Sequence, residues 1–359
     1  MRAQRPSLPF RVTFVLQDAG LFGGVKVVLQ LAQLLQRRGF EVRVASPGEP
    51  PRWFAGKVPF VRLPALDPAC FPPADVTVAT YWTTIAPVAA CPAGGKVHYC
   101  QGYEASVMQN LDRRGEIERA YRVGMPAFAV APHLVALLEE RFRRPARLVP
   151  PPLDTRFRPR LWPRRPHNPP RIVVFNPYEV ELKGVATALQ AVKLLRSDGF
   201  TCELWRVAQT PPHPEEQAIT KVDRYFQGLT PPQVARVLRR CDLLLAPSWE
   251  QEGFGLPVLE AMASGVPVVA SDIPAFRFVT DGTMPLVPPR QTEAFAAKAL
   301  EMLSHPARWQ ECRRQGLLRA RAFAPEKVLP MLEDALQWVA SGEWRRETPP
   351  GGTQHASRD

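Results

Sequence analysis

Apolar and polar positions along this chain follow two periods, and the switch from one to the other divides it into elements. Arg11 to Gln17 places Val12, Phe14 and Leu16 on every second position, which predicts a strand. Val25 to Arg38 places Val28, Leu31, Leu34 and Leu35 on one helical side; Gly39 ends that helix and Glu41 to Ala45 starts a second strand. Further strands are predicted at Val76–Thr80, Lys96–Cys100, Phe128–Ala131 and Arg147–Val149, with a helix at His133–Phe142. The proline-rich residues 46–75 assign to no element. From Ile172–Phe175 the alternation resumes, with a helix at Val185–Leu195, a strand at Leu204–Ala208 and a helix at Pro231–Arg240. A long helix, Pro325–Val339, closes the pattern, and residues 343–359 are expected to lack order. Strands alternating with helices predict parallel sheets in an α/β fold. The proline- and arginine-rich run Pro150–Pro170 reads as a linker between two such halves.

The stretch 242–276 is the most informative. Leu243–Ala246 is an unbroken apolar run, the mark of a strand buried on both faces. Pro257 suits the first turn of a helix, Leu259, Met262 and Ala263 give that helix a buried side, and Gly265 suits its left-handed end. Val266–Ala270 is the next strand. Between strand and helix lie Glu252, Gly253, Phe254 and Gly255, and Glu260 stands about one turn into the helix. Parallel sheets of this kind bind ligands beyond the carboxyl ends of their strands. The glycines let backbone approach a ligand closely, and the N–H groups at the helix start, near Leu256 to Val258, form a site that favours anions. Donors for phosphate thus lie between two carboxylates suited to hydroxyl groups, the order of groups in a nucleoside-diphosphate sugar.

The run Glu252 to Ser271, EGFGLPVLEAMASGVPVVAS, resembles the E-x7-E signature of retaining glycosyltransferases, in particular glycosyltransferase family four. The resemblance implies the GT-B fold, two Rossmann-like domains facing across a cleft: residues 1–155 on the acceptor side, 156–325 on the donor side, and 326–342 as a helix returning to the first domain. It implies sugar transfer from a nucleotide sugar to an acceptor hydroxyl with retention. Glu252 would hold the donor sugar and Glu260 the ribose. Gly23-Gly24, read as a turn before the first helix, is similar to the family's N-terminal glycine loop, which would approach the donor phosphate. Gln101, with Glu104 beside it, stands where the family commonly has a histidine. His98, inside its strand, reads as structural. Lys183 precedes a glycine and a helix and would meet the diphosphate. The family's arginine five positions earlier is Tyr178 here, so Arg206, Lys221 or Arg224 would have to supply the missing charge, or the chain is a degenerate partner protein without turnover. No DxD-type motif stands at the site, and metal independence is expected.

Composition adds limits. The formal charge is +12, with 41 prolines, and arginine greatly outnumbers lysine. Such a surface attracts anionic lipid head groups as well as nucleotides. A nucleic-acid binder rests on charge alone and lacks the aromatic-and-basic motifs of the usual modules. The six cysteines show no metal spacing and read as reduced thiols. With no leader or membrane-length apolar run, the expected place is cytoplasmic, including peripheral contact with an anionic membrane face. The acceptor class, whether glycan, lipid-linked glycan or small molecule, stays open, while the short, compact chain and the E-x7-E stretch argue against a GT-B phosphorylase or epimerase.

Overall fold

The computed structural model describes residues 10–160 and 165–347. The chain forms two compact units, one built from the chain up to Pro152 and again from Pro325 onward, the other running from Leu153 to Ala324.

The first unit has a seven-stranded parallel sheet in the order β3-β2-β1-β4-β5-β6-β7. Its elements are β1 (Arg11–Val15), α1 (Gly23–Arg37), β2 (Glu41–Ser46), β3 (Phe60–Arg62), β4 (Val76–Ala79), α2 (Trp82–Ala89), β5 (Gly95–Cys100), α3 (Arg114–Tyr121), β6 (Ala127–Ala129), α4 (Pro132–Ala136) and β7 (Ala146–Leu148). β1 pairs β2 and β4 on its two sides, so the chain reverses its direction of growth between β1 and β4. Two expectations are corrected. Gly23-Gly24 forms the first turn of α1 and not a turn before it. The helix expected over His133–Phe142 is a short α-helix that widens into a π-helical turn, Leu137–Arg141.

The second unit has a six-stranded sheet, β10-β9-β8-β11-β12-β13, again parallel. It comprises β8 (Arg171–Phe175), α5 (Val185–Ser197), β9 (Glu203–Ala208), α6 (Pro214–Ile219), β10 (Arg224–Gln227), α7 (Pro231–Leu238), β11 (Leu243–Ala246), α8 (Leu256–Ala263), β12 (Val268–Ser271), α9 (Pro274–Thr280), β13 (Leu286–Val287), α10 (Thr292–Ser304) and α11 (Pro306–Ala320). Here the reversal falls between β8 and β11. Strands β8, β9, β11 and β12 are buried on both faces, and one side of the sheet packs Ile172, Val174 and Leu245 against Leu189, Val192, Phe295 and Trp309. Each such side chain contributes about 1.5–3 kcal/mol by leaving water.

The expected linker is not loose at its start. Leu153 donates its N–H to the Phe323 carbonyl at 2.7 Å, and Phe157 is buried, which ties this segment into the second unit. Residues 161–164 of that run lie outside the described residues. The last helix, α12 (Pro325–Ser341), belongs to the first unit. Val339 packs so closely on Gly95 that a methyl there would stand 2.7 Å from it, and Arg147 lies 4.5 Å over the buried Trp338 ring. The tail expected to lack order is corrected over Glu343–Arg346, which forms a 3-10 turn. Its neighbour Glu347 accepts from the Trp338 indole at 3.0 Å and from Arg147. Residues 348–359 lie outside the described residues.

Candidate active site

In the second unit the chemistry gathers at the carboxyl ends of β8 and β11, the point where the strand order reverses. Two loops meet there. Trp249 donates its N–H to the Leu182 carbonyl at 2.7 Å. Gly184 lies so close to the Pro247 carbonyl oxygen that a Cβ would stand 2.1 Å from it, so only glycine lets the loops touch. The contact brings Lys183 against Glu252: the ammonium reaches the two carboxylate oxygens at 2.8 and 3.0 Å. The expected phosphate ligand and the expected sugar ligand therefore hold each other in this structure. Burial pushes the Glu252 carboxyl up, but the charge and hydrogen bonds of Lys183, the Ser248 hydroxyl and the Gly253 amide outweigh it and hold it below the usual range.

Several roles read from sequence change in detail. The Gly253 amide is spent on Glu252 itself. The Phe254 ring turns into the unit, edge-on to Phe278 and Phe323 at 6.3 and 5.5 Å, and packs instead of meeting a ligand. Gly255, at φ +91°, caps the start of α8, and its carbonyl accepts the Val258 N–H at 3.0 Å. Pro257 has no N–H. With the Val258 N–H bound to Gly255, the Leu256 N–H at the helix start is left to a ligand, together with the helix dipole. Glu260 is 7% exposed, not on an open side of its helix as its position one turn in implied, because Val258, Leu259, Ala261 and Met262 around it are all buried.

Tyr178 is half-buried, stacks on His213 with ring centres 5.0 Å apart, and its hydroxyl stands 3.4 Å from Glu215. Burial, then the neighbouring carboxylates, raises the phenol above its usual range. None of the three cations expected to replace an arginine at this position stands in for it. Arg206 is wholly buried, bound to Glu216 and to the carbonyls of Val174 and Asn176. Lys221 is 83% exposed with Asp223 as its ion-pair partner, and Arg224 lies over the Trp205 ring.

The first unit holds a second concave site, also where its strand order reverses. A cavity of about 460 Å³ opens beyond β1 and β4, lined by Gln17, Asp18, Phe22, Tyr81, Gln101 and Glu104 among others. Gln101 donates to the Gly24 carbonyl at 3.3 Å and so ties the start of α1 to the end of β5. The Tyr121 hydroxyl stands 2.7 Å from the Gly102 carbonyl and 2.6 Å from Glu104. One phenol proton cannot serve both acceptors, so a proton on Glu104 completes the set. Burial pushes the Glu104 carboxyl up to about 7 even against the Tyr121 hydrogen bond. His98 is buried edge-on to Tyr121, and burial followed by the Arg144 charge holds it well below the usual imidazole range. Sequence reasoning missed Asp18, Tyr81, Tyr121 and Ser248; the first two lie within three residues of the carboxyl ends of β1 and β4, the signal by which they were findable. Among the described residues no group of three His, Cys, Asp or Glu stands where it could hold one metal ion.

Two parallel-sheet units, each with its candidate site at a reversal of strand order, define the class: the chain has the fold of the GT-B glycosyltransferases, transferases built on this plan. Residues 169–305 match the family described as Glycosyl transferases group 1. The chain is 35% identical over 178 residues to the MMP alpha-(1->4)-mannosyltransferase of Mycolicibacterium hassiacum, an alignment covering 47% of this chain and 41% of that one, so the chain matches well under half the length of that relative. Among solved structures it resembles a sucrose-phosphate synthase from Thermosynechococcus elongatus, with TM-score 0.74 and 18% identity over 93% of this chain and all of that one. It also resembles HepE of Anabaena, solved in complex with UDP-glucose, with TM-score 0.71 and 12% identity over 91% and 99%. At these identities the two structures speak for the fold alone.

Proposed function

We propose that the protein transfers a sugar from a nucleoside-diphosphate sugar to an acceptor hydroxyl in glycan or polysaccharide synthesis, with retention at the anomeric carbon. The observation that carries this reading is the Lys183–Glu252 pair at 2.8 Å beside the amino end of α8. When the donor bond breaks, negative charge gathers on the diphosphate and positive charge on the sugar ring. A site of this kind works by presenting fixed charge and dipoles to those two centres. Lys183 and the Leu256 amide would face the leaving diphosphate. Glu252, freed of its lysine as the phosphate arrives, would hold the sugar hydroxyls, and Glu260 the ribose. No nucleophile is required of the protein, because the leaving phosphate takes the acceptor proton on the same face. Charge neutralisation by Lys183 and the helix start makes the reaction independent of a divalent metal. The first unit would bind the acceptor, and the basic surface would allow contact with an anionic membrane; no helix among the described residues is long and apolar enough to cross one. Calorimetric titration with UDP- and GDP-sugars, followed by an assay of their hydrolysis, tests the reading: tight binding and slow hydrolysis of at least one is expected, and silence across the panel would refute it.

A second reading, a GT-B protein that binds donor without turnover, is favoured by one observation: Arg206 is locked to Glu216 inside the unit and does not replace the charge missing at Tyr178. Tyr178→Arg separates the two. An active enzyme gains little from it, whereas a large rise in donor hydrolysis from a silent wild type would favour the binding protein.

A further inference from the structure

The cavity of the first unit has a chemistry of its own. Two carboxyl groups, Asp18 and Glu104, line it, with the amide of Gln101, the phenol of Tyr81 and the ring of Phe22; no lysine or arginine occurs among its described lining residues. Arg113, whose charge acts on Tyr81 of this wall, lies over the Trp82 ring at 4.6 Å and pairs with Glu116. In a chain of net charge +12 an acidic cavity runs against the average. The start of α1 offers about half a positive charge, less than one ionised carboxylate beside it. Side-chain oxygens and an amide around an aromatic wall match a ring with several hydroxyl groups. A phosphate would meet one or two carboxylates in a confined space without a counter-charge.

We propose that this cavity receives the acceptor as an uncharged polyol, a sugar or cyclitol ring held by Asp18, Gln101 and Glu104, and that it turns away acceptors bearing a phosphate. The proposal rests on the glycosyltransferase reading for the word acceptor, and on the cavity alone for the preference. Glu104 sets how strict the preference is. It faces Tyr121, Tyr81 and the backbone of Trp82, with Cys100 behind Tyr121, and near neutrality it passes between a neutral carboxyl, whose proton is held by Tyr121, and a carboxylate, which accepts from a sugar hydroxyl and repels phosphate.

The test is saturation-transfer NMR on the full chain at about pH 8, where Glu104 is ionised, with methyl mannopyranoside against mannose 6-phosphate and myo-inositol against its monophosphate. Wild type is expected to bind the neutral member of at least one pair about tenfold more tightly, a gap set by one to two unscreened charges. Glu104→Gln keeps the shape and the Tyr121 contact, and Glu104→Gln with Asp18→Asn should narrow that gap to about threefold while thermal melting confirms folding. Equal or tighter binding of the phosphorylated members, no binding of either member, or an unchanged gap in the double variant overturns the proposal. A nucleotide titration on the same samples reads the other site: its failure would remove the glycosyltransferase reading and leave the sugar preference standing.

Discussion

Lys183 and Glu252 neutralise each other, with 24% and 10% of their side chains exposed, so an incoming diphosphate exchanges partners with the lysine and does not meet a bare cation. Since Glu252 is held low in the folded chain, its contribution to stability is present above the ordinary carboxyl range and is lost as pH falls through its folded value. Glu104 has the opposite sign. Its carboxyl titrates near 7 in the fold and near 4.5 unfolded, so wild type loses stability as pH rises between those values and levels off above. Glu104→Gln should match wild type near pH 5 and be more stable at pH 8 by on the order of 3 kcal/mol in urea unfolding; an unchanged difference between the two pH values would show that Glu104 ionises freely. Glu260→Ala should weaken donor binding tenfold to a hundredfold, the worth of hydrogen bonds to a charged group. Because Glu260 is nearly buried, this truncation should also lower stability, and Glu260→Gln keeps the packing while losing the charge. Calorimetry showing wild-type donor affinity in either variant would remove the ribose role.

The loops matter as elements because they are rigid at their ends. Gly255 combines φ +91° with a Phe276 ring carbon 2.3 Å from where a Cβ would lie, so Gly255→Ala pays for backbone strain and for moving a packed ring. A loss of about 3 kcal/mol or more is expected, roughly 6–12 °C in melting temperature for a unit of this size. Gly199, at φ +85° with nothing within 4 Å, is the control: its alanine variant should lose only the backbone share, about 1 kcal/mol. Equal losses at the two sites would mean that Phe276 yields freely. The elements hardest to read from sequence were those whose apolar spacing is interrupted. α2 carries Pro87 inside it, and α3 buries only Ile117 and Tyr121 of its eight residues.

At the scale of the molecule the two units repeat one plan, a parallel sheet whose growth reverses once and whose chemistry collects at the reversal. Because Lys183 and a helix start already supply positive charge to the proposed diphosphate, sugar transfer should survive EDTA with at least about half its rate. A strict need for added divalent metal would show that a carboxylate pair takes a different role. The net charge of +12 is a property of the whole surface, and it does not predict the acidic lining of the first cavity.

How much of this was legible differs between local and distant relations. The strand–loop–helix–strand unit around Glu252 and Glu260 could be read directly, because burial on both faces leaves unbroken apolar runs and because glycine and proline mark where a chain turns. Gln101 directly after a strand and Lys183 in the loop before a helix could be placed from the same local pattern. Only the tertiary structure decided that Lys183 lies on Glu252, since 69 residues separate them and the meeting depends on Gly184 touching Pro247. It alone showed Arg206 locked to Glu216, Phe254 turned inward and Glu104 within hydrogen-bond distance of Tyr121. Periodicity reports which face of an element is apolar; which polar groups meet between elements depends on distances that no single element contains.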